Sequence, residues 1–163
     1  MGGFLGGAKT SITTYSGLQV QTTSSALPVP ICYGCNILTP NVIDYENFQQ
    51  HDASGKGGGK GGSPGNYTYT ATILMGLCEG PISGIGNVWA GAVTPGPLSA
   101  LGLSIASGTM TQAPWSYMTS AYPAKALAYS GTAYLYAQNF NLGPSASVGS
   151  NSFEVFAPLC QSG

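Results

Sequence analysis

Cys32 and Cys35 stand as a Cys-x-x-Cys pair, the spacing used by zinc knuckles and by redox-active dithiols. A zinc site needs two further ligands, and His51, Cys78 and Cys160 do not fall at knuckle spacing from the pair. A redox pair needs a thiol whose pKa is lowered, commonly at a helix amino terminus. The run Pro28-Val29-Pro30-Ile31-Cys32-Tyr33-Gly34-Cys35 instead reads as an extended segment ending in a turn. All four cysteines are therefore expected to be buried free thiols that pack as small apolar side chains.

Acid/base chemistry would have to come from Asp44, Glu46, Asp52, Glu79, Glu154, His51 and the lysines. Asp44 and Glu46 are two residues apart and share a strand face. That permits a carboxylate pair of the kind glycosidases use, against the plainer reading of a solvated edge. His51 precedes a glycine-rich stretch, and no G-x-S-x-G elbow accompanies it, so it reads as a solvated loop histidine. The stretch GKGGGKGGSPG at 55–65 invites a phosphate-loop reading, but Gly57 and Gly61 follow the lysines where Ser or Thr is required to hold magnesium. No residue is assigned a catalytic, cofactor-binding or metal-binding role, and the chain reads as a non-enzyme.

The elements that carry these residues are mostly strands. Residues 1–10 are glycine-rich and read as a flexible arm, and 11–163 as a single β-rich domain. Short β-like runs appear at Ser11 to Tyr15 and Gly17 to Thr22, then Leu27 to Tyr33, where Pro28 and Pro30 allow only an edge strand. Cys35 to Tyr45 resumes an apolar, β-prone pattern, followed by a polar stretch from Glu46 to Asp52. Residues 53–66 are expected to form a mobile loop, because seven glycines in the eleven positions 55–65 leave little apolar area to offset ordering entropy.

The clearest strand comes next: Tyr67, Tyr69, Ala71, Ile73 and Met75 fall on one face, Thr68, Thr70 and Thr72 on the other. It ends at Leu77-Cys78-Glu79-Gly80-Pro81, after which Ile82 to Ala90 predicts another strand. Gly91 to Gly108 reads as loop. Pro114 to Ala128 is the one helix candidate, with Trp115, Met118 and Tyr122 at helical spacing and Pro123 ending or kinking it. Gly131 to Gln138 and Ser152 to Leu159 predict two closing strands. The fold class is mainly β, a barrel or a sandwich, with one short helix and long glycine-rich loops.

Composition bears on partners. Only 6% of residues are charged, there is no arginine, and the formal net charge is -1. Ordinary soluble domains carry about 25% charged residues. Nucleic-acid binding, which relies on clustered cations against phosphates, is not expected. No 18-residue apolar run marks a membrane span, and MGGFLGGAKT lacks the basic and apolar regions of a secretory signal, so synthesis in the cytoplasm is expected. Ten tyrosines are expected in cross-strand pairs and subunit contacts.

Several ordered blocks resemble a known family. Leu18-Gln19-Val20-Gln21-Thr22-Thr23, the segment Leu27 to Gly34, and Asn41-Val42-Ile43-Asp44-Tyr45 are similar to the opening of phage tail hub and tip-attachment proteins. The lysine and glycine-rich stretch, a tyrosine-threonine strand and the block Leu77-Cys78-Glu79-Gly80-Pro81-Ile82 follow in that family's order, then Gly84 to Trp89. The likeness runs on through Pro114-Trp115-Ser116-Tyr117, Tyr122 to Tyr134, Asn141-Leu142-Gly143, Ser145-Ala146-Ser147 and Phe153-Glu154-Val155.

The resemblance implies a virion tail-tip protein: a hub protomer in a homotrimeric ring that caps the tail tube and contacts the distal tail protein, the tape measure protein and the tip or fibre proteins. Members of that family usually continue well past the Phe-Glu-Val strand. A short or split hub and an amino-terminal portion of a longer one both fit, and receptor binding belongs to the later parts. A cell-wall-degrading or host-surface-binding module of the tail tip is the alternative.

Overall fold

The computed structural model describes residues 13–19, 28–52, 67–91 and 96–158. The expected arm at 1–10, the loop at 53–66 and Cys160 lie outside them. In chain order the strands are β1 Gly34–Leu38, β2 Asn41–Asp52, β3 Tyr67–Glu79, β4 Gly84–Ala90, β5 Ser104–Ser107, β6 Thr132–Gly143 and β7 Asn151–Ala157. A helix, α1 Ser116–Ala121, lies between β5 and β6, and two 3-10 turns occupy Leu98–Leu101 and Pro123–Lys125.

The alternation of β3 organises the molecule. Tyr69, Ala71, Ile73, Met75 and Leu77 all point one way and are buried, as the period of two requires. β3 lies inside a four-stranded antiparallel sheet of order β2-β3-β6-β5, and a second antiparallel sheet has the order β1-β7-β4. The inner faces meet in one core, where the β3 residues join Ala133, Leu135 and Ala137 of β6 with Val88, Phe153 and Val155 of the smaller sheet. Each large side chain buried here contributes about 1.5–3 kcal/mol. The Tyr69 hydroxyl accepts a hydrogen bond from the Tyr15 N–H at 3.1 Å, so this deeply placed phenol is not left unsatisfied. The architecture is an open sandwich, not a closed barrel, because β2 and β5 end the larger sheet.

A second, smaller cluster covers part of the larger sheet's outer face. Leu74, Tyr134 and Met118 are buried there beneath Trp115, Tyr117, Tyr122 and Tyr136. Trp115 and Tyr136 rings lie 4.7 Å apart and Trp115 and Tyr117 5.1 Å. The expected helix from Pro114 to Ala128 is realised as only six residues, α1, then the 3-10 turn at Pro123–Lys125. Pro123 has no N–H to continue the helical ladder and disfavours the helical conformation at Tyr122.

Other expectations need correction. Residues 13–19 form no strand, and the extended segment before β1 is not an edge strand: it makes a single parallel bridge, Ile31 to Glu79, with the Glu79 N–H donating to the Pro30 carbonyl at 2.9 Å. Pro28 and Pro30 lack the donors a ladder needs. The run Cys35 to Tyr45 is divided at Thr39-Pro40, so that β1 and β2 enter different sheets, and the polar stretch Glu46 to Asp52 continues β2. Gly91 to Gly108 contains β5, a four-residue strand at the sheet edge.

The Leu77 to Pro81 turn works through a close approach of backbones. Gly80 does not hold a positive φ. Its requirement is steric: a methyl group on Gly80 would stand 2.6 Å from the Gly108 Cα and 2.7 Å from the Gly108 carbonyl oxygen. Around this contact the Gly80 N–H donates to Gly131 O and the Ile82 N–H to Ser107 O, both at 2.8 Å. Gln112 completes the junction, its Oε1 accepting from the Gly108 N–H and its Nε2 reaching the carbonyls of Ala128, Tyr129 and Thr132 at 2.7 to 3.0 Å.

Gly80→Ala is therefore expected to destabilise the fold by about 1–3 kcal/mol through overpacking, and Gln112→Ala by a similar amount through buried groups left unpaired. Glu79→Gln, at an exposed position, should change stability by less than about 0.5 kcal/mol. Urea unfolding followed by tryptophan fluorescence measures all three, and a larger loss for Glu79→Gln than for Gly80→Ala would contradict the steric account.

Candidate interaction surfaces

The Cys-x-x-Cys pair does not converge on one site. Cys32 points into the core beside Cys78, while Cys35 is exposed on the outer face of β1, so burial holds for the first two and not for Cys35. The alternation of an extended chain separates residues 32 and 35 by an odd step, which puts them on opposite sides. Burial pushes the Cys78 thiol up to about 12, with Cys32 beside it adding to the shift. The Cys35 thiol is also raised, first by desolvation and then by Glu154, whose Oε1 lies 3.6 Å from its sulfur. Both shifts run against thiolate chemistry.

Asp44 and Glu46 do share one face, but Lys125 sits between them. Its ammonium pairs with Glu46 and stands 3.8 Å from Asp44. The hydrogen bond to Glu46, then the Asp44 charge, raises the lysine's pKa. The arrangement fastens the 3-10 turn after α1 onto β2. His51 lies in β2, not in a loop, and its Nε2 is 2.8 Å from Thr70 Oγ1. Glu154 accepts from the Asn87 N–H at 2.9 Å and from Asn87 Nδ2 at 3.0 Å, joining β7 to β4. Among the described residues, no three His, Cys, Asp or Glu side chains gather as a metal site.

The first notable surface is apolar. Val29, Ile31 and Tyr33 alternate outward from the extended segment before β1, and Ile37 and Phe156 continue on the outer face of the smaller sheet. Ile31, Tyr33 and Ile37 are 65%, 63% and 64% exposed, an arrangement that water disfavours. β1 is also a sheet edge, and Lys125, the lysine among the described residues, is tied to β2 carboxylates on the other sheet. Among the described residues no lysine stands on this edge to deter pairing, and Glu154, directly opposite Ile37 on β7, is engaged by Asn87. The sequence carried this signal in the alternation Val29, Ile31, Tyr33.

The second surface is polar and was missed from sequence. β2 and β6 each carry an extra residue at the same level, so that both flanking strands bulge beside Thr72 of β3. The bulges are centred on Asn47 and Asn139, which hold φ of 50° and 51°, a conformation asparagine tolerates better than most residues. Phe48 and Phe140 thereby still pack inward, while the two asparagines reach toward each other across β3, Asn47 Nδ2 to Asn139 Oδ1 at 3.5 Å. Gln49 Nε2 donates to Asn47 Oδ1 at 2.9 Å. Thr72 is fully buried, and its hydroxyl has no partner among the described residues.

No family model matches the chain, and no curated protein matches it. A chain in a solved structure described as the virion of a native gene transfer agent particle is similar in fold, with a TM-score of 0.61 and 22% identity over 91% of this chain and 32% of that one. This chain thus spans about a third of the length of the virion chain it matches. At that identity the likeness is one of fold.

Iodoacetamide with peptide mapping is expected to label Cys35 in the native protein, and Cys32 and Cys78 only after unfolding. Because the folded state keeps the Cys78 proton up to about 12 while an unfolded thiol releases it near 9.0, its contribution to stability is complete below pH 9.0 and is lost as pH rises through that window. Stability measured by urea unfolding should therefore fall less steeply above pH 9.0 in Cys78→Ala than in the parent; equal slopes would refute the burial assignment.

Proposed function

We propose that this chain is an architectural component of a phage-like tail tip: a hub protomer that packs with copies of itself in a ring capping the tail tube, between the distal tail and tape measure proteins and the tip or fibre proteins. The observation that carries the reading is the exposed apolar strip of Val29, Ile31, Tyr33, Ile37 and Phe156 along the β1 sheet edge. Such a strip is unfavourable in a free protomer and favourable in a subunit contact.

The fold supports the same reading, since it recurs over nearly the whole of this chain in part of a virion chain. The resemblance to tail hub proteins supplies the threefold count. A non-enzymatic role fits the chemistry of the charged groups: Asp44 and Glu46 are engaged by Lys125, and the Cys35 and Cys78 thiols are held protonated. A cell-wall-degrading module would need a free acid and nucleophile, and release of soluble fragments from purified peptidoglycan would reveal one.

Ile37→Lys tests the assembly reading. At a position 64% exposed it should leave monomer stability within about 0.5 kcal/mol, while placing a hydrated ammonium in the apolar contact and preventing ring formation. Light scattering of parent and variant, together with cryo-electron microscopy of the particle, reads the outcome. A ring that forms equally well with lysine at this position, or density for the chain away from the tail tip, would overturn the proposal.

A further inference from the structure

The half of the larger sheet's outer face beyond the aromatic cluster has the chemistry of a carbohydrate site. Along β3, the level of Leu74 faces Tyr136, whose ring packs on Trp115. Two residues on lies Thr72 between the asparagine bulges, and two further on Thr70, bonded to His51. The row from Leu74 to Thr70 is about 13 Å long at the rise of a strand, more than one pyranose ring. Half-buried aromatic rings stand at one end. The amides of Asn47, Gln49 and Asn139 and the hydroxyl of Thr70 stand at the other, with Glu46, Asp44 and Lys125 alongside.

Two independent observations mark this face as more than a solvated surface. Left-handed backbone at two asparagines, one in each strand flanking β3, costs conformational energy and recurs where proteins aim side chains at ligands. Second, the Thr72 hydroxyl is fully buried with no hydrogen-bond partner among the described residues, an arrangement costly enough to be rare. The asparagine contact beside it is at the long limit, 3.5 Å, so a ligand hydroxyl that parts the two amides exchanges a weak bond for stronger ones and brings Thr72 a partner.

We propose that this face binds a neutral oligosaccharide: sugar hydroxyls bond to Asn47, Gln49, Asn139 and Thr72, and an apolar sugar face lies against the Trp115 and Tyr136 rings. Amides and hydroxyls offer the mixed donors and acceptors that sugar hydroxyls match, and the exposed parts of aromatic rings accept the C–H face of a pyranose. Two carboxylates against one ammonium leave the neighbourhood with a formal charge of -1, which disfavours acidic glycans. The site stands apart from the ring contact, since it occupies the opposite outer face of the sandwich from the apolar strip.

The test is nuclear magnetic resonance titration of the isolated chain with maltotriose, with chitotriose and with glucose. Binding of at least one trisaccharide is expected, at about 1 mM or tighter, more tightly than glucose and with perturbations centred on the side-chain amides of Asn47, Gln49 and Asn139, on Thr72 and on the Trp115 indole. The paired variant Asn47→Gly with Asn139→Gly keeps the left-handed backbone while removing the amides. It should retain the parent spectrum elsewhere and bind at least about tenfold more weakly, a loss of about 1.4 kcal/mol. Absence of perturbation by all three sugars at tens of millimolar, undiminished binding by the glycine variant, or a neighbouring subunit seated on this face in the assembled tip would each overturn the assignment. None of these results bears on whether the Ile37 edge forms the ring.

Discussion

The close approach of Gly80 to Gly108 is the constraint on which the rest of the structure depends. β3 ends here in the larger sheet, and the chain must turn to enter β4 in the smaller one, passing the end of β5 and the start of β6. Neither position has room for a Cβ; at Gly108 one would stand 2.7 Å from the Ala133 nitrogen. A side chain at either site would push the end of β3 away from β5 and β6 and weaken the backbone bonds between Gly80 and Gly131 and between Ile82 and Ser107. The passage of the chain from one sheet to the other, whose inner faces share one core, is thus fixed by a junction of backbone and one amide side chain, Gln112. Charge contributes little to it.

Much of this was legible in the sequence, for identifiable reasons. β3 was plain because threonines at 68, 70 and 72 alternate with Tyr69, Ala71 and Ile73, and the inward side chains from Tyr69 to Leu77 are buried. β7 and most of β6 were legible on the same ground. The helix was overestimated because Trp115, Met118 and Tyr122 recur at helical spacing while serving an aromatic cluster only six helical residues long. β5 was illegible because Ser-Ile-Ala-Ser is too short and too polar to show a period, and it is held in place by β6. The division between β1 and β2 was hidden because both halves are β-prone and only Thr39-Pro40 marks the corner.

The candidate surfaces divide in the same way. The apolar strip could be read in part, since Val29, Ile31 and Tyr33 alternate between prolines. The carboxylate pair was seen, but the lysine that joins it comes from a turn 79 residues later and no local pattern announces it. The asparagine bulges were invisible because a bulge is a relation between strands. Asn47 and Asn139 are 92 residues apart and meet only because both strands flank β3. The resulting sandwich presents different chemistry on its two outer faces, apolar on the smaller sheet and aromatic and amide-rich on the larger.

The apolar side chains of the strip bear on the conditions that a contact through them tolerates. Association through ion pairs weakens as salt screens them, whereas burial of Ile31, Tyr33, Ile37 and Phe156 is not screened in that way. Its driving force is instead the release of apolar surface from water, which weakens on cooling and strengthens with excluded salts such as sulfate. For a contact of this kind, cold is the condition that loosens it.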